Sequence, residues 1–292
     1  MKPKVIAIVG PTASGKSSLG LMLAQKFGGE IVSADSRQIY KGMEITSRTP
    51  NKKEIKIVPH HLVTFLNPSK KFSAGEYQKK GQKILTEIFK KNKLPIVVGG
   101  TGFYADSLLR GLTLPEVAPN KKLRASLAKK TPAKLLSMLR KIDPKSAERV
   151  DPKNIVRLVR AIEVAQATGP IPTLAYHSIY DTLWLGVLPS EATHTRAIKK
   201  GVEDRLRADM ILEAKKLRAK VSKKRFLELG FEFDLLAKHL DKEITKKDLA
   251  DLLVRGEQKY AVRQMRWFKR NSDIHWIQNK AQALQLAKEF LR

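Results

Sequence analysis

The sequence contains no cysteine. That excludes a disulfide framework and any thiolate-held zinc or iron–sulfur site. No apolar run approaches the roughly 20 residues that a membrane-spanning helix needs, and Met1–Ile8 leads into a strand pattern without a signal-peptide core. The expectation is a cytoplasmic protein with no membrane contact. Internal repeats and low-complexity tracts are also missing. Acids are scarce: 28 Asp and Glu stand against 57 Lys and Arg in 292 residues, a formal net charge of +29. A small metabolite needs few cations, so a surplus of this size points to a polyanionic partner, nucleic acid. Metal ligands do not cluster. His60-His61 is the one adjacent pair, with no third ligand at metal spacing, and it reads as structural or hydrogen-bonding.

What is present is an ordinary apolar content of 42%, enough for a sizeable core. Short β-branched runs at Val5–Val9, Glu30–Ser33, Leu94–Val98, Leu183–Leu188 and Ile274–Ile277 read as strands. Helical patterns fill Lys16–Phe27, Ala74–Lys91 and Leu123–Lys141. Another starts near Asn154 and stops at Gly169-Pro170. Strands alternating with helices imply an α/β fold with a parallel sheet. The stretch Pro115–Tyr180 breaks the alternation. It is helical and basic, with thirteen Lys and Arg against three acids between Pro119 and Arg160. The expected organisation is therefore a core at 1–114, an all-helical insert at 115–180, and a second core part with a helical C-terminal region at 181–292.

The segment Gly10, Pro11, Thr12, Ala13, Ser14, Gly15, Lys16, Ser17 fits G-x-x-x-x-G-K-[ST] in full, between a strand and a helix. Its backbone N–H groups and the helix dipole suit a phosphate, Lys16 adds a charge, and the Ser17 hydroxyl suits a magnesium ion. This is also the nucleotide-binding signature of ATP-using enzymes. In those, a second strand ends in a metal-supporting acid. Here the strand at 96–98 runs into Gly99-Gly100-Thr101-Gly102 instead, so transfer of a group from a bound phosphate compound is favoured over hydrolysis. Asp35, just past the second strand, is placed to act as a general base or hydrogen-bond acceptor. Its alternative is to cap a following helix. Near the C-terminus, Arg255, Lys259, Arg263, Arg266 and Arg270 follow one another at spacings of 4, 4, 3 and 4, one face of one helix. Tyr260 and Trp267 interleave, to fill the core or to stack on a base.

These residues carry a resemblance. GPTASGKS at 10–17, ADSRQIY at 34–40, VPHHL at 58–62, PIVVGGTGFY at 95–104, RLVRAIEV at 157–164 and YAVRQMRWFKR at 260–270 occur in this order, and together they resemble the tRNA dimethylallyltransferase family over nearly the whole chain. The resemblance implies a core similar to P-loop NTPases and kinases and a monomeric enzyme using magnesium. Its substrates would be dimethylallyl diphosphate and the anticodon stem-loop of tRNA. The diphosphate would sit in Gly10–Ser17, with Arg205 as a further match. Asp35 would accept a proton from N6 of the adenine 3′ to the anticodon, beside Thr101. Ser36, Arg37, Gln38, Arg124, Arg157, Arg160, Arg263 and Gln264 match tRNA-contacting positions. The chain departs from the family pattern at Thr46-Ser47-Arg48-Thr49, where Gly-Thr-Ala-Lys is frequent, at Val156 and at Val262. The alternatives are a prenyltransferase of free adenine nucleotides, a P-loop kinase of a small metabolite, and a non-catalytic RNA-binding protein.

Overall fold

The computed structural model describes residues 2–172 and 175–292. The chain divides into two compact units: Met1–Gly111 with Ser178–Arg292, and Leu112–His177. The second is continuous in sequence and its limits fall three residues before those expected from composition.

The first unit is built on a single parallel sheet. Its strands are β1 (Lys4–Val9), β2 (Glu30–Ser33), β3 (His60–His61), β4 (Pro95–Gly99), β5 (Asp181–Val187) and β6 (Ile274–Ile277), in the spatial order β3-β2-β4-β1-β5-β6. Register is set by the apolar runs: Ile6 pairs with Ile96 and Leu183, and Val32 with Val97. Alternation along β1 divides the core. Val5, Ala7 and Val9 pack with Val97, Tyr104 and Trp184, while Ile6 and Ile8 pack with Leu19, Leu23 and Ile96. Both faces are buried, as expected for strands flanked by helices on two sides.

The helices of this unit are α1 (Lys16–Phe27), α2 (Lys52–Ile57), α3 (Ala74–Lys90) and α4 (Gly102–Leu109) before the insert. After it, numbered past the insert's α5 to α8, come α9 (Glu191–Arg207), α10 (Met210–Arg218), α11 (Lys223–Glu228), α12 (Phe231–Leu240), α13 (Lys246–Phe268) and α14 (Lys280–Leu291). Helices α9 to α13 build a separate apolar cluster around Phe226, Phe233, Leu236, Leu249 and Leu253, which also takes in Ile39 and Met43.

The second unit is helical. It holds α5 (Lys121–Leu127), α6 (Pro132–Ile142), α7 (Pro144–Arg149) and α8 (Ile155–Thr168) around Leu127, Leu135, Leu139, Leu158 and Ile162. Its α8 starts at Asn154, whose side chain accepts from Arg157 N, and ends at Gly169.

Three sequence expectations differ from the structure. Leu123–Lys141 is two helices, because Thr131 caps a new start and Pro132 takes the first position, where its missing N–H has no cost. Strand β3 escapes detection because two histidines have no apolar periodicity; it is held by pairing to β2 and by His61 Nε2, 2.7 Å from Glu30 Oε2. Residues 36–39 form a turn rather than a helix, so Asp35 has no helix to cap.

Candidate active site

The sheet order decides what meets what. β2, β4 and β1 are consecutive in space. Their carboxyl ends carry Ala34-Asp35, Gly99-Gly100 and Gly10 respectively, so three motifs scattered over 90 residues emerge side by side. In an open parallel sheet this edge is where ligands bind.

Loop 10–17 leads into α1 with Gly15 at the cap position and Lys16 in the first turn. Lys16 Nζ donates to Pro11 O at 3.0 Å. Desolvation pushes its ammonium down to about 8; Asp35 and Glu257 resist this, and Arg48 adds to it. Asp35 Oδ1 accepts from Arg37 N at 2.8 Å, an Asx turn that fixes the carboxylate. Thr101 Oγ1 accepts from Ser36 N at 3.0 Å and lies 3.2 Å from Ser36 Oγ, which links the β4 loop to the Asp35 turn. Tyr260 joins them from α13, on the wall of the cavity that Asp35 lines. Burial, then the Asp35 carboxylate, push its phenol up to about 12. Thr12, Asp35, Arg37, Arg48, Glu257 and Tyr260 line one small cavity of about 50 Å³, so the P-loop and the carboxylate share a space. A larger surface cavity of about 530 Å³ around Lys41, Asp209 and Lys216 has no P-loop or Asp35 residue in its wall and is set aside as the reaction site.

Other expected residues have tasks within the protein. Gln264 is 6% exposed: its Oε1 accepts from Thr12 N at 2.8 Å and its Nε2 donates to Gly100 O at 2.9 Å. It joins the two glycine loops, and a side chain at position 100 would lie 2.2 Å from its Nε2 and would displace the amide from this joint. One N–H and one acceptor position of its amide are engaged on these loops. Arg205, expected at the diphosphate, is buried and bound to Glu257, Thr46 O and Gly201 O. Gln38 ties Ser33 to the carbonyl of Arg48.

In the helical unit, Arg124 and Arg160 both close on Glu163, at 2.6 Å each. Burial raises that carboxyl, and the two guanidiniums outweigh burial and hold it at about 2. Arg160 also donates to Val117 O, whereas Arg157 is exposed. Arg255, Lys259, Arg263, Arg266 and Arg270 are all exposed, the last just beyond the end of α13. Trp267 is held inward by a 2.8 Å bond from its Nε1 to Asp106 Oδ2.

Sequence reasoning missed Glu257 and Arg48. Glu257 is 3% exposed and shared by Arg48 Nη2, at 2.7 Å, and by Arg205. The signal was there: Leu249, Leu253, Glu257 and Ala261 follow one another at four-residue spacing, an acid within a buried stripe. A buried acid of that kind requires a cation.

A six-stranded parallel sheet whose inner strand β1 feeds a P-loop, with a carboxylate on the same cavity, defines a P-loop α/β enzyme. A family model described as IPP transferase matches residues 38–271, and one described as isopentenyl transferase matches residues 3–71. A tRNA dimethylallyltransferase from Alkaliphilus oremlandii is 34% identical, over 94% of this chain and 91% of its own length. One from Halothermothrix orenii is 36% identical, over 94% and 87%. The full-length tRNA isopentenylpyrophosphate transferase of Bacillus halodurans superposes with a TM-score of 0.75 at 30% identity, over 99% of this chain and 96% of that one. A eukaryotic dimethylallyltransferase acting on tRNA shares the fold, with a TM-score of 0.82 at 24% identity, over 94% and 73%. The chain belongs to the tRNA dimethylallyltransferase family.

Proposed function

We propose that the protein transfers the dimethylallyl group of dimethylallyl diphosphate to N6 of the adenine 3′ to the anticodon of tRNA. The observation that carries this reading is the shared cavity: Thr12 of the phosphate loop and Asp35 line the same space. The N6 lone pair attacks C1 of the prenyl group, the C1–O bond breaks, and diphosphate leaves with the bonding electrons. The N6 proton passes to Asp35. Loop N–H groups and Lys16 stabilise the charge that develops on the leaving group.

A divalent cation fits this chemistry in one way. Among the described residues no group of three His, Asp or Glu could hold an ion by itself. Ser17, exposed in the first turn of α1, offers a single hydroxyl. A magnesium ion retains most of its waters and binds through one or two protein oxygens plus substrate phosphates. Ser17 would hold it against the diphosphate, whose charge it would neutralise.

Reaching a base that is paired or stacked requires extruding it, and a flipped adenine explains why a small-molecule site is accompanied by so basic a surface. Arg157 and the stripe Arg255, Lys259, Arg263 and Arg266 supply exposed cations for the RNA backbone. Arg124 and Arg160 shape the insert through Glu163. The substrate fits a monomeric, cytoplasmic enzyme, and no helix among the described residues is long and apolar enough to cross a membrane.

The test is to supply labelled dimethylallyl diphosphate with either tRNA or AMP. Label should enter tRNA at N6 and not AMP, and tRNA affinity should fall with log salt by about 0.7–0.9 per phosphate engaged. Label in AMP with a shallow salt slope would make free nucleotides the substrate. Phosphoryl transfer from ATP to a metabolite would replace the reading altogether.

The lowered Lys16 gives a pH expectation. Only the ammonium attracts diphosphate, and it loses its proton as pH rises through about 8. Pyrophosphate affinity measured by calorimetry should therefore be highest below pH 8. Above it, affinity should fall by up to about tenfold per unit. A flat profile to pH 10 would show that Lys16 stays charged or does not touch the ligand.

A further inference from the structure

The segment Thr46-Ser47-Arg48-Thr49 is where this chain departs from the family pattern, and the reaction above assigns Arg48 no task. The structure gives it a specific position. Arg48 Nη1 donates to Thr12 Oγ1 of the phosphate loop at 3.1 Å, and Nη2 donates to Glu257 Oε2 at 2.7 Å. The residue lines the cavity shared by Thr12 and Asp35. Its charge acts on the Lys16 ammonium, so two cations from separate segments converge beside the loop.

The arrangement is held at a cost. Arg48 has φ +52, a left-handed conformation that a long side chain disfavours. Such a conformation persists when its surroundings over-determine it, and residues of this kind gather at ligand sites. Here the surroundings do so. Glu213 accepts from Ile45 N and Thr46 N, Gln38 donates to Arg48 O, Arg205 donates to Thr46 O, and Ser47 Oγ donates to Met43 O. On α9, Gly201 makes room for the guanidinium: a side-chain carbon there would lie 2.6 Å from Arg48 Nη2.

The acid that holds Arg48 is shared. Glu257 is one carboxylate shared by two guanidiniums, those of Arg48 and Arg205. Arg205 is buried, with three of its N–H groups donated to Glu257, Thr46 O and Gly201 O. Arg48 is the partner with solvent access, its side chain 28% exposed. A guanidinium has five N–H donors in a planar fork suited to phosphate oxygens. Glu232 also acts on Arg205 and lines the same cavity, so Arg205 draws on two acids, whereas Arg48 pairs with Glu257 and keeps its guanidinium partly open to the cavity.

We propose that Arg48 is a diphosphate ligand of this protein, clasping phosphoryl oxygens from outside the loop 10–17 that cradles them. The inference rests on the reading that a prenyl diphosphate occupies that loop. Arg48 binds the donor in the ground state and follows its charge as the C1–O bond breaks. It takes over, from a different segment of chain, part of the neutralisation that Lys16 supplies from within the loop.

Calorimetry with magnesium pyrophosphate tests this on the intact protein, its Arg48→Ala and Arg48→Lys variants, and Lys16→Ala. Loss of a charge-assisted contact should weaken Arg48→Ala by about 10- to 100-fold. Arg48→Lys should recover part of the loss, because a lysine still brings a charge. Affinity for tRNA in the absence of donor should stay within a few-fold of wild type in both variants. If Lys16→Ala loses pyrophosphate and Arg48→Ala does not, the Arg48 proposal is overturned and the loop reading stands. If neither variant loses it, the diphosphate does not occupy the loop and both fall. An Arg48→Ala protein that loses tRNA and pyrophosphate together, with no recovery in Arg48→Lys, would make Arg48 a loop staple and overturn the proposal.

Discussion

Replacing Asp35 by Asn is expected to cut prenyl transfer about 10²–10⁴-fold, the usual range for removing a general base. Asn is the informative change because Asp35 has two separable tasks. Its Oδ1 accepts from Arg37 N and closes the turn at 35–38. An amide oxygen does this equally well, so the turn, the Thr101–Ser36 link and the fold should survive. An amide cannot take the N6 proton, so the chemistry should not. Asp35→Ala removes both tasks and should lose as much turnover, with an added loss of order in the turn. Single-turnover rates at saturating tRNA and donor separate these effects from binding. An Asn variant within a few-fold of wild type, beside a crippled Ala variant, would mean that Asp35 serves only to shape the turn.

The parts of the site readable in the sequence are those that local chemistry writes contiguously. Loop 10–17 is a run of eight residues whose glycines, lysine and hydroxyl each have a reason to be there, and Asp35 follows its strand by two residues. Strand positions 5–9 and 95–98 announce themselves by buried apolar runs. Strand β3 does not, because its place is set by pairing and by the Glu30–His61 contact rather than by hydrophobicity. The break at 128–131 in the insert was also legible in hindsight, since Thr131-Pro132 is a helix start.

Partners distant in sequence were not readable. Glu257 meets Arg48 across 209 residues and Arg205 across 52. Gln264 meets Thr12 across 252. No spacing rule reports such pairs. The family motif around Gln264 points it toward RNA; its contacts with Thr12 N and Gly100 O, which the motif does not report, make it the joint between two glycine loops. Arg160 shows the same ambiguity. It pairs with an internal acid, Glu163, yet its side chain remains 37% exposed, so the internal pair and an RNA contact are compatible. Net charge locates the class of partner, but the internal contacts of each cation decide how it is presented to that partner.

Removing Glu257 should destabilise the protein strongly. Glu257→Ala leaves Arg205, itself 6% exposed, without its hydrogen-bonded counter-charge, and leaves the Arg48 guanidinium bonded to Thr12. Breaking a buried pair from one side costs about 3–5 kcal/mol. For a unit of this size, each kcal/mol shifts the melting temperature by about 2–4 °C, so a fall of roughly 6–20 °C is expected. The source of the loss can be identified. If it is the stranded charge, a double variant Glu257→Leu with Arg205→Met should recover more than half, because apolar groups of similar volume replace buried ion pairs at little cost. If the two losses instead add, Arg205 stabilises chiefly through the carbonyls of Thr46 and Gly201, and Glu257 is secondary. The double variant carries a second consequence for the site. With neither Glu257 nor Arg205 present, the Arg48 guanidinium loses its anchor while Thr12 remains. Pyrophosphate affinity in that variant should then fall less than in Arg48→Ala, because the charge is still there. An equal fall would show that the anchoring by Glu257, more than the charge itself, makes Arg48 useful to the phosphate loop.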